Sequence, residues 1–394
     1  MKRNAAIIGV GETPFTSRQD YTNPELSQQA ALKALEMAGM TMDEIEAVVY
    51  SMAPAEFLGV LDPDKWAVGA VGGLNKPFMR VHTGGATGGS AAQAGYYHVA
   101  SGIFDSVLVV GADKVRECKD SQQVLNTIWD PMYERQFGLT TITMAAYQAV
   151  RRMYKYGTTE EQMARVAVRN WANAMNNPSA HLKGKITVED VITSPYYSWP
   201  IKRLDTCPSS AGGAAIVIVS EKKAKKLCTR PAWIKGCHEI ANTVFMGDQM
   251  GGAADMDYAD WDELAMAAKV AYRQAGIVDP LKEIQVADVY APFTVTELAI
   301  VEALGFCRKG ESEKLNESNF FDMDGEVAVS PSGGSLCNNP IAVTALCRVC
   351  DAALQVLGKA PPKMQVKNVK NAVATGIGGS FQFHTIMVVG SDHN

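Results

Sequence analysis

The 394-residue sequence lacks any apolar run close to the roughly 20 residues that a membrane-spanning helix needs. It also lacks a strong excess of either charge, because 37 Lys and Arg stand against 42 Asp and Glu and leave a formal net charge of −5. This balance argues against a nucleic-acid-binding protein and against a polybasic membrane anchor. With 47% hydrophobic and 20% charged residues, the composition is typical of a globular protein of two or three domains.

Cofactor and metal motifs are also missing. There is no P-loop, no dinucleotide-binding fingerprint after a strand and no H-E-x-x-H. The eight cysteines are scattered rather than spaced as a disulfide framework, which predicts reduced thiols and a cytoplasmic location. Cys347 and Cys350 form a lone C-x-x-C inside a helical apolar pattern, and without a second pair they predict neither a zinc site nor a redox site. We therefore expect no metal in this chain.

The chain contains two similar segments, residues 26–50 and 264–290. Each begins with an Ala-rich amphipathic helix that ends at Ala-Gly, where the glycine suits the C-cap. An acidic linker and a short apolar strand follow, and the strand ends in Val-Tyr, at Tyr50 in the first segment and at Tyr290 in the second. The similarity predicts an internal duplication.

The duplication extends into the residues that follow each segment. Gly88-Gly89-Ser90 opens an Ala-rich helix before an apolar strand at 106–111, and the same three residue types at 333–335 open an apolar helix before a strand at 371–374. Two βαβαβ units, each a layered α/β half, are therefore predicted.

One stretch fits neither copy. Residues 118–204 are rich in Met, Tyr, Trp, Arg and Asn and contain an amphipathic helix near 140–156. We expect them to form an inserted loop domain packed over the site. The first half would then comprise residues 1–117 with 205–225, and the second half residues 226–394.

Taken together, these features resemble the thiolase superfamily across nearly the whole chain. The glycine-rich turn at 84–90 matches the family turn that carries the nucleophile, and residues 207–215 are similar to its C-x-x-x-D-G-A-A-A segment. Residues 290–298 resemble its N-E-A-F or H-D-C-F block, and residues 330–340 resemble N-x-x-G-G followed by G-H-P. The resemblance implies an α/β fold with five layers in the order α-β-α-β-α.

Within the superfamily the chain looks most similar to the archaeal and sterol-carrier-type branch. That resemblance implies a thiolase-type acyltransferase that cleaves or forms a C–C bond in a 3-oxoacyl-CoA, with coenzyme A as substrate or product. An aromatic 3-oxoacyl-CoA such as benzoylsuccinyl-CoA is one implied substrate. The resemblance also implies a homodimer core and a small partner of the DUF35 type, which carries a zinc ribbon and an OB-fold.

The nucleophile of the family is absent. Thiolase chemistry needs a thiolate, a second acid/base and oxyanion holes, yet the family position falls at or next to Gly85. The second family cysteine is missing from the loop that contains Gly378 and Gly379. We expect the backbone N–H groups of Gly84, Gly85, Gly378 and Gly379 to hold an oxyanion, since a helix start attracts negative charge. The alternative is a turn that only lets two helices pack closely.

Four side chains are candidates for the missing chemistry. Asn339 matches the His of G-H-P and can donate a hydrogen bond to a thioester carbonyl but cannot move a proton at neutral pH. Cys337 is a candidate nucleophile or base, or else a small buried apolar residue. Tyr290 is a candidate acid or carbonyl-polarising group, or else a partly buried mirror of Tyr50. His82 is a candidate acid/base or a structural histidine.

A Gly- and Met-rich segment, residues 243–254, matches the part of thiolases that covers coenzyme A, within a covering loop at about 243–258. It predicts a mobile lid, or alternatively an ordinary solvated loop. We expect Met246, Gly247, Ser209, Ser210 and Phe293 to contact coenzyme A.

Three functions follow. The first is acyl transfer with Cys337 as the acyl carrier. The second is retro-aldol cleavage with Tyr290 and no acyl-enzyme, although Cys-Asn-Asn-Pro stands where thiolase-like aldolases have a second tyrosine. The third is a non-catalytic scaffold that binds coenzyme A or lipid.

Overall fold

A computed structural model describes residues 3–250 and 256–393, so residues 251–255 of the predicted covering loop lie outside the described part of the chain. The main elements are β1 (Ala5–Glu12), α1 (Asn23–Ala38), β2 (Ala47–Ser51), β3 (Phe78–Val81), α2 (Thr87–Ala100), β4 (Ser106–Lys114), α3 (Ser121–Asn126), α4 (Thr141–Tyr156), α5 (Glu160–Ala174), α6 (Val188–Ile192), β5 (Tyr196–Ser198), β6 (Ile201–Lys202), β7 (Ala211–Ser220), α7 (Glu221–Leu227), β8 (Ala232–Ala241), α8 (Asp262–Ala275), α9 (Pro280–Glu283), β9 (Val286–Asp288), α10 (Thr294–Ala303), α11 (Ser312–Glu317), β10 (Ala328–Val329), α12 (Gly334–Cys337), α13 (Thr344–Leu357), β11 (Asn371–Gly378) and β12 (Phe383–Gly390). None of the described helices is long and apolar enough to cross a bilayer.

The large sheet shows the duplication directly. Its order is β3-β2-β4-β7-β1-β8-β12-β11-β9-β10, so the second half repeats the first half outward from the centre. In each half two strands flank a central parallel strand, β2 or β9, and two antiparallel strands follow. The halves meet through a short antiparallel contact between β1 and β8. The predicted duplicated fold is confirmed.

Three hydrophobic cores separate the five layers. α1 packs its small buried side chains on the outer face of the first half-sheet. α2 and α13 lie together between the two half-sheets, and Cys347 and Cys350 are buried in this central core. α8 covers the outer face of the second half-sheet. The outer helices α1 and α8 bury one face, whereas α2 and α13 are buried on most sides between the half-sheets, and this accounts for the predicted α-β-α-β-α order.

The repeated Ala-Gly helix ends adopt the predicted C-caps. α1 begins at the N-cap Thr22, whose side chain forms a capping box with Glu25, and it ends at Gly39 with φ of 65°. α8 ends at Gly276 with φ of 69°. Both glycines occupy the left-handed region that favours glycine at a helix C-terminus.

One element of the repeat differs from expectation. The second glycine turn does not open a long helix, because α12 ends at Cys337 after a single turn and the long helix α13 begins only at Thr344. Gly333 and Gly334 both have positive φ, and Pro340 removes a backbone donor just beyond. The consequence is that Cys337 ends a short turn instead of starting a long helix.

The stretch between β4 and β7 carries helices α3–α6 and the hairpin of β5 and β6. Buried ion pairs attach it to the second half. The guanidinium of Arg152 on α4 lies 2.9 Å from a carboxylate oxygen of Glu302 and 2.7 Å from one of Glu313. Arg169 on α5 pairs with buried Glu297. The domain boundaries given above stay a prediction.

Candidate active site

A cavity of about 520 Å³ lies where the two halves meet beneath the inserted segment. The first half contributes the turn of Gly84 and Gly85, and the second half contributes Tyr290, Asn339 and the loop after β11. The inserted segment supplies about half of the apolar and aromatic lining, including Trp171. A largely apolar cleft with a few convergent polar groups is the usual form of a small-molecule site.

The polar centre of this cavity is the amide of Asn339. Its Oδ1 accepts hydrogen bonds from the Tyr290 hydroxyl at 2.9 Å and from the Thr344 hydroxyl at 2.7 Å. Its Nδ2 donates to the sulfur of Cys207 at 2.9 Å. Because two hydroxyls donate to Oδ1, the orientation of the amide is defined, and one hydrogen of Nδ2 is left for another acceptor.

The two glycine loops contact each other beside this amide. A Cβ placed on Gly85 would lie 2.5 Å from the carbonyl oxygen of Ile377 and 3.2 Å from the hydroxyl of Tyr290. A Cβ on Gly378 would lie 2.1 Å from the carbonyl oxygen of Thr83. A side chain at either position would therefore require the opposite loop to move, and the Tyr290 hydroxyl lies beside Gly85. The match of Gly85 to the family nucleophile stays a prediction.

Gly84, Gly85, Gly378 and Gly379 all line the cavity, with the first two directly before the N-terminus of the 14-residue helix α2. The positive end of the helix dipole thus faces this side of the cavity. Their role in binding an oxyanion stays a prediction.

Tyr290 lies two residues beyond the end of β9, whereas the sequence pattern placed it within the strand. The strand stops at Asp288, and the N–H of Tyr290 donates to the side-chain hydroxyl of Thr375 instead of a strand carbonyl. Asp288 itself is held by buried Arg348, with 2.5 Å between Nη1 and Oδ1. Burial raises the pKa of Tyr290 well above its usual range, so the phenol stays protonated at neutral pH.

Cys207 is the functional candidate that sequence reasoning missed. It is half-buried, lines the cavity and has a free thiol. Burial raises its pKa to about 12, and the hydrogen bond from Asn339 opposes that rise. A signal was available, since Cys207 begins the segment 207–215 that carries part of the family resemblance.

Ser210 contacts the backbone of Asn339 on the side away from the cavity. Its hydroxyl accepts from the backbone N–H of Asn339 at 3.1 Å and lies 2.9 Å from Nδ1 of His181. Ser210 is fully buried and does not line the cavity, whereas its neighbour Ser209 and also Phe293 do. Of the residues expected to contact coenzyme A, Ser209 and Phe293 are therefore placed at the cavity surface.

Several predicted site residues lie elsewhere. Cys337 is completely buried in a small cluster with Ala174 and Ala180, outside the cavity, and burial raises its pKa well above the usual range. The side chain of His82 is exposed and does not line the cavity. Neither Met246, which is buried, nor exposed Gly247 reaches it. The early end of α12 explains the position of Cys337, since the chain turns inward there.

A buried carboxyl joins the two halves just below the cavity. Asp113 on β4 accepts from the backbone N–H of Ala53 at 2.7 Å and from that of Val343 at 3.0 Å. Burial raises its pKa to about 7, which these two backbone hydrogen bonds only partly oppose. Among the described residues no group of three or more His, Cys, Asp or Glu is placed to hold a metal ion.

Comparison with known proteins covers almost the whole chain. Residues 5–193 match the family model of the thiolase N-terminal domain, and residues 249–391 match that of the thiolase C-terminal domain-like family. The chain is 31% identical over 380 residues to an acetyl-CoA acetyltransferase of Methanothermobacter thermautotrophicus, covering 96% of this chain and 97% of that protein. It is 27% identical over 381 residues to the benzoylsuccinyl-CoA thiolase subunit BbsB of Thauera aromatica, covering 96% and 95%.

A solved structure adds a lyase to these relatives. The Ltp2-ChsH2(DUF35) aldolase superposes with a TM-score of 0.83 and 27% identity, covering 99% of this chain and 98% of that chain. Acyltransferases and an aldolase therefore share the fold described above.

Proposed function

The chain belongs to the thiolase superfamily, in its sterol-carrier-type branch, and on that premise we propose that it cleaves or forms a C–C bond next to the thioester of a coenzyme A ester without an acyl-enzyme. The reaction is a retro-aldol cleavage or its reverse. The observation that supports it most strongly is the Tyr290 hydroxyl, 3.2 Å from a Cβ placed on Gly85. A phenol thus lies beside the position where the acyltransferases of this fold carry their nucleophile.

Acyl transfer needs a thiolate at the thioester carbonyl. The structure offers none at either glycine loop, and Cys337 lies outside the cavity. Cys207 does line the cavity, but burial raises the pKa of its thiol to about 12, which disfavours the thiolate that acyl transfer needs. A lyase reaction needs no such nucleophile, and this difference favours the lyase.

Tyr290 is suited to relay a proton. In the proposed cleavage the phenol oxygen takes the proton of the substrate's 3-hydroxyl, the bond between C2 and C3 breaks, and C3 becomes a ketone or aldehyde. The bonding electrons pass to C2 as a thioester enolate, which takes the proton that the phenol releases. A raised pKa is compatible with this concerted relay because no free phenolate accumulates.

The thioester oxygen carries the developing negative charge of the enolate. We assign the glycine turn before α2 and the remaining Nδ2 hydrogen of Asn339 to stabilise it. Asn339 also orients the phenol through Oδ1, and Thr344 fixes the amide in turn. Ser209 and Phe293 line the cavity and are proposed to contact coenzyme A.

The test uses 3-hydroxyacyl-CoA esters and follows the shorter acyl-CoA and the carbonyl product by liquid chromatography, without free coenzyme A. Tyr290→Phe removes only the hydroxyl and is expected to lower kcat by roughly 10²–10⁴-fold. Cys207→Ser is the matched control and is expected to keep most of the activity. A reaction that needs free coenzyme A and leaves an acyl group on Cys207 in the mass spectrum would refute the proposal.

That refuting result defines the second candidate, thiolase-type acyl transfer by Cys207, for example to or from an aromatic 3-oxoacyl-CoA. The observation in its favour is the 2.9 Å hydrogen bond from Asn339, which stabilises a thiolate more than a thiol. The 31% identity to an acetyl-CoA acetyltransferase points the same way. Quenched-flow mass spectrometry of the Cys207 peptide separates the two candidates.

We also propose two assemblies. Among the described strands, the edge strand β3 has a pairing partner on one side only. Exposed Met79 lies on this strand and exposed Leu74 lies beside it, which supports a homodimer joined through the first halves. The aldolase relative is named with a DUF35 partner, and exposed Phe137 on the inserted segment supports such a partner here. The homodimer contact is tested by light scattering of Met79→Asp, and an unchanged dimer would contradict it. The partner contact is tested by co-purification of Phe137→Asp with a DUF35-type protein, and unchanged co-purification would contradict it.

A further inference from the structure

The charge of the cavity lining is one-sided. Of the described residues that line the cavity, Arg116 and Arg203 are the only charged ones, and no carboxylate lines it. Within residues 3–250 and 256–393, neither arginine forms an ion pair, whereas all the buried arginines described above do. Two uncompensated guanidinium groups at a largely apolar cleft create a positive potential in a protein whose net charge is −5.

Both arginines line the same cavity of about 520 Å³ as Tyr290 and Asn339. Arg203 precedes Cys207 by four residues, so their Cα atoms are at most about 14 Å apart. Arg116 follows the end of β4, where Asp113 is hydrogen-bonded to Val343, four residues beyond Asn339.

A second observation relates Arg116 to the residues behind Asn339. Burial lowers the pKa of His181, and the positive charge of Arg116 lowers it further. The ring of His181 in turn lies 2.9 Å from Ser210, whose hydroxyl accepts from the Asn339 backbone. The phosphates of coenzyme A are separated from the thioester by the whole pantetheine arm, so this location suits a charge on the acyl group better.

We propose that the substrate is a coenzyme A ester whose acyl group carries a second, free carboxylate, and that Arg116 and Arg203 bind that carboxylate. The inference rests on the proposed function, since it assumes that the cavity holds the acyl group of a coenzyme A ester. Arginine is the side chain that matches a carboxylate with two parallel N–H donors. The apolar and aromatic lining, including Trp171 and Leu182, accommodates the carbon skeleton between the carboxylate and the thioester.

The probes are succinyl-CoA and butyryl-CoA, which share a four-carbon acyl chain and differ in the terminal carboxylate. Free coenzyme A is the third ligand, and binding to the full chain is measured by calorimetry. For the wild-type protein, the Kd of succinyl-CoA is expected to be lower than that of butyryl-CoA by a factor of about ten or more. Arg116→Gln and Arg203→Gln are each expected to reduce this preference, and the double variant to abolish it, with the Kd of butyryl-CoA unchanged.

Arg18→Gln serves as the control, because Arg18 is exposed and does not line the cavity. It is expected to keep the wild-type preference. Arg116 and Arg203 are also exposed, so their glutamine variants are expected to fold, which circular dichroism checks.

Three other binding results would contradict carboxylate recognition by Arg116 and Arg203. Equal affinity of the wild-type protein for the two esters would show that no carboxylate is recognised. If the arginine variants lost the same affinity for both esters and for free coenzyme A, Arg116 and Arg203 would bind the phosphates of coenzyme A instead. In both cases cleavage that depends on Tyr290 can persist, so the proposed function survives. Absence of binding by all three ligands would contradict both proposals together.

Discussion

Gly85 is the position predicted to match the family nucleophile, and Gly85→Ala tests whether a side chain fits there. The added Cβ would lie 2.5 Å from the Ile377 carbonyl oxygen, and that distance must widen by roughly 0.9 Å to reach an ordinary contact of 3.4 Å. The obstacle is backbone: Ile377 is paired with His384 of the neighbouring strand β12 and cannot swing aside alone. Overpacking of this kind costs about 1–3 kcal/mol of unfolding free energy.

The measurement is urea unfolding followed by the fluorescence of the six tryptophans, one of which, Trp171, lines the cavity. Gly247→Ala is the matched control, because a Cβ there meets nothing within 4 Å. We expect a lower unfolding midpoint for Gly85→Ala and no change for Gly247→Ala. Gly85→Cys is expected to be destabilised similarly and to gain no acyltransferase activity.

If Gly85→Ala is as stable as the wild type, the Ile377 carbonyl yields to a side chain and the steric argument fails. If Gly85→Cys forms an acyl-enzyme, the cavity still contains the whole thiolase machinery apart from one thiol. Either result would also weaken the assignment of Tyr290 as the group that replaces the nucleophile.

Three further predictions concern charge and positioning. Arg152→Met leaves two buried carboxylates without their partner and is expected to lower the free energy of unfolding by about 3–5 kcal/mol. Arg151→Met is the control, because the half-exposed ion pair of Arg151 is worth less than about 1 kcal/mol, and it is expected to change stability little. Denaturant unfolding of both variants checks this, and equal losses of stability would contradict it. Burial raises the pKa of Asp113 from its ordinary value of 3.8 to about 7 in the folded protein, so its contribution to stability is complete below about pH 4 and is lost as pH rises towards and through 7. Unfolding midpoints between pH 4 and 8 should therefore fall less in Asp113→Asn than in the wild type, and parallel profiles would refute this contribution of Asp113. Thr344→Val removes one of the two hydroxyls that fix the Asn339 amide and is expected to lower kcat about tenfold with KM unchanged, whereas a change in KM alone would argue against positioning.

Much of the fold was predictable because the signals were local and repeated. Each of these signals depends on neighbouring residues: the Ala-Gly helix ends, the alternating apolar strands and the glycine turns. Because they recur along the chain, they indicated an internal duplication. The helix predicted near residues 140–156 is α4, Thr141–Tyr156. It was predictable because its apolar residues recur with the 3.6-residue period of an α-helix.

The candidate site was predictable only in part. Tyr290, Asn339 and the glycine loops, which the family motifs indicated, do line the cavity. The glycine loops and Tyr290 follow strands of the large sheet or precede a helix beside it, and Asn339 lies in the connection between α12 and α13. Cys337 was expected there as well, but two left-handed glycines and a proline end its helix after one turn and bury it.

By itself the sequence determined the duplicated layers, the absence of cysteine from the two glycine loops and the set of polar side chains available near them. Only the tertiary structure decided which of these meet. It brought Cys207, Tyr290 and Asn339 within hydrogen-bond distance although 132 residues separate Cys207 from Asn339. Among the residues that the structure describes, it also left Arg116 and Arg203 without carboxylate partners at one cavity. The physical reason is that hydrogen bonds and close contacts depend on distances in space, and the packing of two half-sheets and an insertion sets those distances.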